Sequence, residues 1–141
     1  VLYLREDQAD IRVQVDGVNY GDGNSWVTYA GAGLSAAGVK TRPGGMGREI
    51  ELGGPATRAD CTITTQNSDI MAGQHPTLEA KIGRGTGRVS VQYLDDYGAA
   101  IPGARFTIQG KLKEATLPGQ NGENSAVGMY TIIVACDELA A

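Results

Sequence analysis

The chain has 141 residues, 41% of them apolar, and a formal net charge of −4. That length is one ordinary domain with a core of its own, and that apolar share excludes a disordered chain. No apolar run approaches the ~20 residues of a membrane helix, and the 12 Lys and Arg are scattered, so neither a membrane anchor nor a tight grip on nucleic-acid phosphates is expected.

Leu4 is followed at once by Arg5, Glu6 and Asp7, which is not a signal-peptide pattern. Ile11–Val15 (IRVQV) alternates apolar and polar residues, the period of a half-buried strand, and Asp16-Gly17 is a turn signal after it. Ser25–Tyr29 is rich in aromatic and β-branched residues and predicts a second strand. The glycine- and alanine-rich stretch Gly31–Arg48 shows no clear alternation and predicts a long open loop. Glu49–Leu52 predicts a short strand that Gly53-Gly54-Pro55 breaks, and Ala59–Thr65 predicts another. Ser68 or Asp69 can cap a helix, but His75-Pro76 is expected to interrupt it. The better helical stretch is then Thr77–Ile82, stopped by Gly83. Gly87–Leu94 reads as a strand, Asp95–Gly98 as a turn, and Ala104–Gln109 as a strand continuing to Ala115 with a bend or bulge at Gly110. After the polar loop Pro118–Ser125 comes a long apolar strand, Gly128–Cys136. The 21 glycines, about twice the average share, follow no repeat and fall mostly between these strands. The pattern predicts a mainly β fold: a sandwich or barrel of about seven or eight strands with one short flanking helix, as a single domain over residues 1–141.

Every candidate for chemistry has a plainer structural reading. His75 is the one histidine and has no Cys or carboxylate at ligand spacing, so it is expected to cap or be solvated. No Ser sits in a Gly-x-Ser-x-Gly setting. Gly83–Arg88 (GRGTGR) lacks the Lys-Ser/Thr end of a phosphate loop and follows a helix instead of opening one, so it reads as a connector. Asp95-Asp96 lacks the remaining spacing of a calcium loop. Cys61 and Cys136 form no CxxC and read as two free thiols in strands. Tyr3, Tyr20, Trp26 and Tyr29 could cage a ligand, but such residues more often fill a core or an interface. No catalytic, metal-binding or cofactor-binding residue is assigned, no cofactor is expected, and the chain reads as a structural protein and not an enzyme.

The order of segments resembles the tail tube (major tail) proteins of long-tailed, siphovirus-type bacteriophages. The matching features are the strand Arg58–Thr64 (RADCTIT) before the helix, the hairpin from Val91 to Asp95-Asp96-Tyr97-Gly98, and Gly110–Ala115 (GKLKEA) before a polar loop and a final Ile-Ile-Val strand. The pattern spans residues Ile11 to Asp137. The resemblance implies a β-sandwich flanked by one helix. It further implies homo-hexameric rings stacked into a hollow tube within the virion, assembled in the host cytoplasm. Its partners would be the tape-measure, terminator and distal tail proteins, with DNA passing through the lumen without specific binding. A net acidic subunit is consistent with such passage, since each cationic contact to phosphate would retard it. The resemblance also implies terminal arms and an early loop reaching the neighbouring ring. Here that loop is residues 31–48, carried by Leu34, Val39, Lys40, Arg42, Met46 and Arg48. The alternative is a β-sandwich binding module, such as a phage capsid-decoration or carbohydrate-binding domain, with Trp26 and Tyr29 in an exposed groove.

Overall fold

The alternation in Ile11–Val15 becomes strand β1 (Ala9–Val15), with Ile11, Val13 and Val15 buried and Arg12 outside. The computed structural model describes residues 2–41, 50–123 and 125–140. Asp16 (φ 52°) and Gly17 (φ 83°) form the tight turn into β2 (Val18–Tyr20), the left-handed pair that matches the twist of a hairpin. The other strands are β3 (Thr28–Gly31), β4 (Leu34–Thr41), β5 (Ile50–Arg58), β6 (Cys61–Gln66), β7 (Thr86–Leu94), β8 (Ala100–Thr116) and β9 (Met129–Ala140). One helix, α1 (Asp69–Ala80), lies between β6 and β7. The expected mainly β fold with one short helix is present, with nine strands instead of seven or eight.

Seven strands form one antiparallel sheet in the order β2-β1-β7-β8-β9-β6-β3. Residues 25–27 tie its two sides together. The Trp26 amide donates to Ile11 O of β1 (3.0 Å), and the next amide, of Val27, donates to Thr64 O of β6 (2.9 Å). The sheet therefore curls around a single core. This change of partner also explains why the expected strand at Ser25–Tyr29 is realised only from Thr28. Inside, Val89 stands opposite both Val13 and Ile108, and Ile63 opposite Ile132. All five are essentially removed from water. Each such side chain contributes about 1.5–3 kcal/mol. The expected irregularity at Gly110 is a register shift between Gln109 and Gly110. There an added Cβ would run into the Ala135 carbonyl of the paired strand.

The helix differs from its expectation. Ser68 is the N-cap, its Oγ accepting from the Met71 amide (3.2 Å), and the helix runs unbroken through Pro76. An interior proline costs about 3 kcal/mol. Met71 and Leu78, one on each side of it, are fully buried against the sheet and hold both halves in place. Gln74 Oε1 accepts from the Gly21 amide (3.0 Å), and His75 Nδ1 meets Tyr130 Oη (2.7 Å), so tertiary contacts outweigh the local preference.

The stretch from residue 31 differs as well. Residues 34–41 are not an open loop: β4 and β5 pair as a separate two-stranded antiparallel ribbon, from Leu34↔Arg58 to Thr41↔Ile50, and residues 42–48 of the expected loop lie outside the described residues. The expected break at Gly53-Gly54-Pro55 is absent because two residues, Gly54 and Pro55, stand against one on β4. Such a bulge accommodates a proline that has no amide to give the ladder.

Candidate assembly surface

The ribbon is joined to the main sheet at a narrow root. Gly31 (φ 92°) and Ala32 (φ 60°) turn the chain out of β3. The Ala32 amide donates to Asp60 O (3.2 Å), and the Ala59 amide returns a bond to Gly33 O (3.0 Å). Glycine is required at position 31 on two counts: its φ is left-handed, and an added Cβ would strike the Asp60 carbonyl. Arg58 closes the root from the other strand. Its Nη1 donates to Ala32 O (2.8 Å), while its Nε is buried with no partner among the described residues. Asp60 is in turn held by Lys113 (2.6 Å).

Of the six residues expected to form the inter-subunit loop, Leu34 opens β4 and is exposed, and Lys40 lies opposite Glu51 and is exposed. Val39 lies opposite Leu52 in the register. Arg42, Met46 and Arg48 lie outside the described residues. The structure thus places Leu34, Val39 and Lys40 on one projecting arm. Sequence reasoning missed the root: Gly31 read as the start of an open loop, and Arg58 as the start of the strand before the helix. The pairing of the 31–41 stretch with 50–58 had a signal only in its second half, the alternation at Glu49–Leu52.

Further exposed apolar groups lie at the other end of the sheet. Leu2, Tyr3 and Leu4 form an exposed segment ahead of β1. It is tethered to the β7 end, where the Leu94 amide donates to Gln8 O (2.9 Å) and Gln8 Nε2 donates to Asp96 Oδ1 (3.1 Å). Between this segment and the sheet is a groove of about 560 Å³ lined by Leu4, Val27, Tyr29 and Tyr93, among others.

The chemistry-bearing residues are placed in structural settings. Contrary to the expected capping or solvated role, His75 lies within the helix and is mostly buried between Tyr130 Oη and Glu79, a carboxylate one turn on (3.5 Å). Burial, with the Glu79 charge behind it, pushes the Tyr130 phenol up to about 12. Asp95 Oδ1 accepts from the amides of Tyr97 and Ala99, so it braces the turn. Cys61 and Cys136 are buried free thiols, as expected. Burial, reinforced by the neighbouring Cys136, pushes Cys61 up to about 12, and burial also raises Cys136. Trp26 is buried and its Nε1 donates to Tyr20 O (3.2 Å), while Tyr29 packs edge-on against Phe106. Trp26 therefore forms no groove with Tyr29, which removes the main support for the binding-module alternative. Among the described residues no group of three or more His, Cys, Asp or Glu is placed to hold a metal.

No protein-family model matches the sequence, and no curated protein matches it. Solved structures do match. A chain of the anti-feeding prophage cap, the AFP tube-terminating cap, superposes with a TM-score of 0.74 at 10% identity, over 99% of this chain and 91% of that one. A chain of the anti-feeding prophage baseplate gives 0.75 at 9% identity, over 99% and 95%. A chain of the PVC sheath–tube complex, from an extracellular contractile injection system in its extended state, gives 0.67 at 12% identity, over 93% and 86%. The fold is the one shared by these chains of cap, baseplate and sheath–tube assemblies. The likeness covers nearly the whole chain, the ribbon included.

Proposed function

We propose that this protein is a structural subunit of a tail-like tube, built from hexameric rings that stack with the β4–β5 ribbon reaching from one ring to the next. The observation that carries this reading is the ribbon itself. It is a separate two-stranded unit with an exposed Leu34, set on a root of a few hydrogen bonds, in a chain whose fold matches tube and cap assemblies. An exposed ribbon with unpaired edges is a liability in a monomer, and assembly turns it into a contact surface.

The finer form of the proposal is a siphovirus-type tail tube whose lumen conducts DNA from capsid to host, with tape-measure, terminator and distal tail partners. A second form is favoured by the matching structures, which come from contractile injection particles: a tube within a sheath. Electron microscopy of particles carrying the tagged chain separates the two. The first gives a bare tube and the second a sheathed tube that shortens.

The shared proposal is tested by removing residues 35–57, a cut made at the paired Ser35 and Thr57 so that the root survives. The deleted protein should stay soluble, with the circular dichroism of the intact sheet, and make no long tubes. Tubes of wild-type length from it would refute the assigned role.

A further inference from the structure

The chain is charged oppositely at the two ends of its β7–β8 hairpin. At the turn end, residues 95–98, Asp96 is exposed and accepts only a neutral donor, Gln8 Nε2. Asp95 lies beside it, and Glu6 and Asp7 are on the segment tethered there by Gln8, where Arg5 pairs with Asp7 (2.8 Å). Tyr97 stands out of this acidic turn with 96% of its surface in water. At the other end, where α1 passes into β7, Arg84, Arg88 and Lys111 are exposed. Lys111 is opposite Thr86, and Arg88 is two pairs further along, opposite Gln109. No ion pair among the described residues holds Arg84, Arg88 or Lys111; the nearby Asp16 is taken by Lys81 (3.3 Å). β7 runs for nine residues between the two ends, with Arg88 as its third residue. At roughly 3.3 Å per residue they are about 30 Å apart, far beyond a Debye length, so they cannot neutralise each other within one molecule.

We propose that copies of this chain meet head to tail through these two ends, the Asp96–Tyr97 turn of one copy seating against Arg84, Arg88 and Lys111 of the next. This rests on the tube reading and adds the residues and the direction of a contact between subunits. A second copy is the partner that fits, because each molecule carries both halves of the complementary pair. A contact between unlike ends propagates, whereas like ends repel. Tyr97 adds an aromatic face of the kind that guanidinium groups stack on, and exposed tyrosines and arginines are the residue types that dominate interfaces. The arrangement also accounts for cations that no ion pair holds among the described residues of a net acidic chain, without invoking nucleic acid.

The test uses three full-length variants: Asp96→Lys, the pair Arg84→Glu with Arg88→Glu, and all three changes combined. All three positions are exposed, and retained circular dichroism checks the fold. The readout is the lowest protein concentration at which tubes appear by light scattering and negative stain, at low and high salt. Each reversal should raise that concentration about tenfold or more at low salt, with the defect shrinking as salt screens it. The combined variant, complementary again, should return to within about threefold of wild type. Tubes at the wild-type threshold in both reversed variants overturn this contact and leave the tube reading intact. So does a combined variant no better than the worse of the two. A wild-type chain that makes no assembly at any concentration overturns the tube reading, and this contact with it.

Discussion

Replacing Gly31 by alanine tests how the ribbon is aimed. The residue has a φ of 92°, which costs an L-residue about 1–2 kcal/mol. The new Cβ would also meet the Asp60 carbonyl, which is backbone and cannot swing aside. Relief requires the root to open, and that stretches the bond from the Ala32 amide to Asp60 O, now 3.2 Å, worth about 1 kcal/mol. The sum is about 2–3 kcal/mol, a large part of the ~5–15 kcal/mol that holds a domain folded. It corresponds to a loss of about 6–12 °C in Tm. Gly33 supplies an internal control two residues away: its φ is not left-handed and nothing lies within 4 Å of an added Cβ. Gly33→Ala should be neutral or gain up to about 1 kcal/mol through the unfolded chain. Thermal and urea unfolding followed by circular dichroism read both variants. If Gly31→Ala melts with Gly33→Ala, within about 2 °C, the steric account of the root is wrong.

Two further outcomes follow from titratable groups. The Thr86 amide, and after it Lys81, hold the Asp16 carboxyl below its usual 3.8. A carboxyl depressed in the folded state stabilises above its unfolded value, and that stabilisation is lost as pH falls through the folded value. Asp16→Asn should therefore show a smaller fall in urea midpoint between pH 6 and pH 3 than wild type, and an equal fall would count against the assignment. Cys61, raised to about 12 and buried, should react with a thiol reagent at pH 8 only on unfolding, at least 100-fold slower than in urea. Rapid native labelling at that residue, read by peptide mass, would contradict its burial.

Most strands were legible because one face is buried and the other is not. Ile11–Val15 and Val89–Leu94 alternate in the sequence because β1 and β7 line the core with every second residue. The turns at Asp16-Gly17 and Asp95–Gly98 were legible because their backbones need residues that accept left-handed φ or brace their own amides. The helix was misjudged because Pro76 is a local signal, whereas the burial of Met71 and Leu78 that overrides it is not local. The ribbon was misread for a related reason. The β4 residues whose burial is described, Leu34, Ser35, Ala36, Gly38 and Lys40, are all exposed, so no buried side imposes alternation on them, and β4 reads as Leu-Ser-Ala-Ala-Gly-Val-Lys-Thr. For the proposed assembly surface, the stretch from residue 31 stood out in the sequence, whereas the root that carries the ribbon did not. Gly31 and Arg58 lie 27 positions apart, and their meeting depends on the β3–β6 pairing between them.

Strand order has a consequence for synthesis. β9 is synthesised after both of its partners, yet it lies in the middle of the sheet, between β8 and β6. Until residues 129–140 emerge, the β6 and β8 edges have no partner, and the halves β2-β1-β7-β8 and β6-β3 are joined by no shared strand. Pairings such as Ile63↔Ile132, nearly 70 residues apart in the chain, make closure slow and late. A nascent chain therefore holds two incomplete surfaces and cannot seal either against a neighbour's. Crowded polysomes would be the place where this protein misassembles, and insertion of β9 is the event that covers the open β6 and β8 edges and completes the sheet.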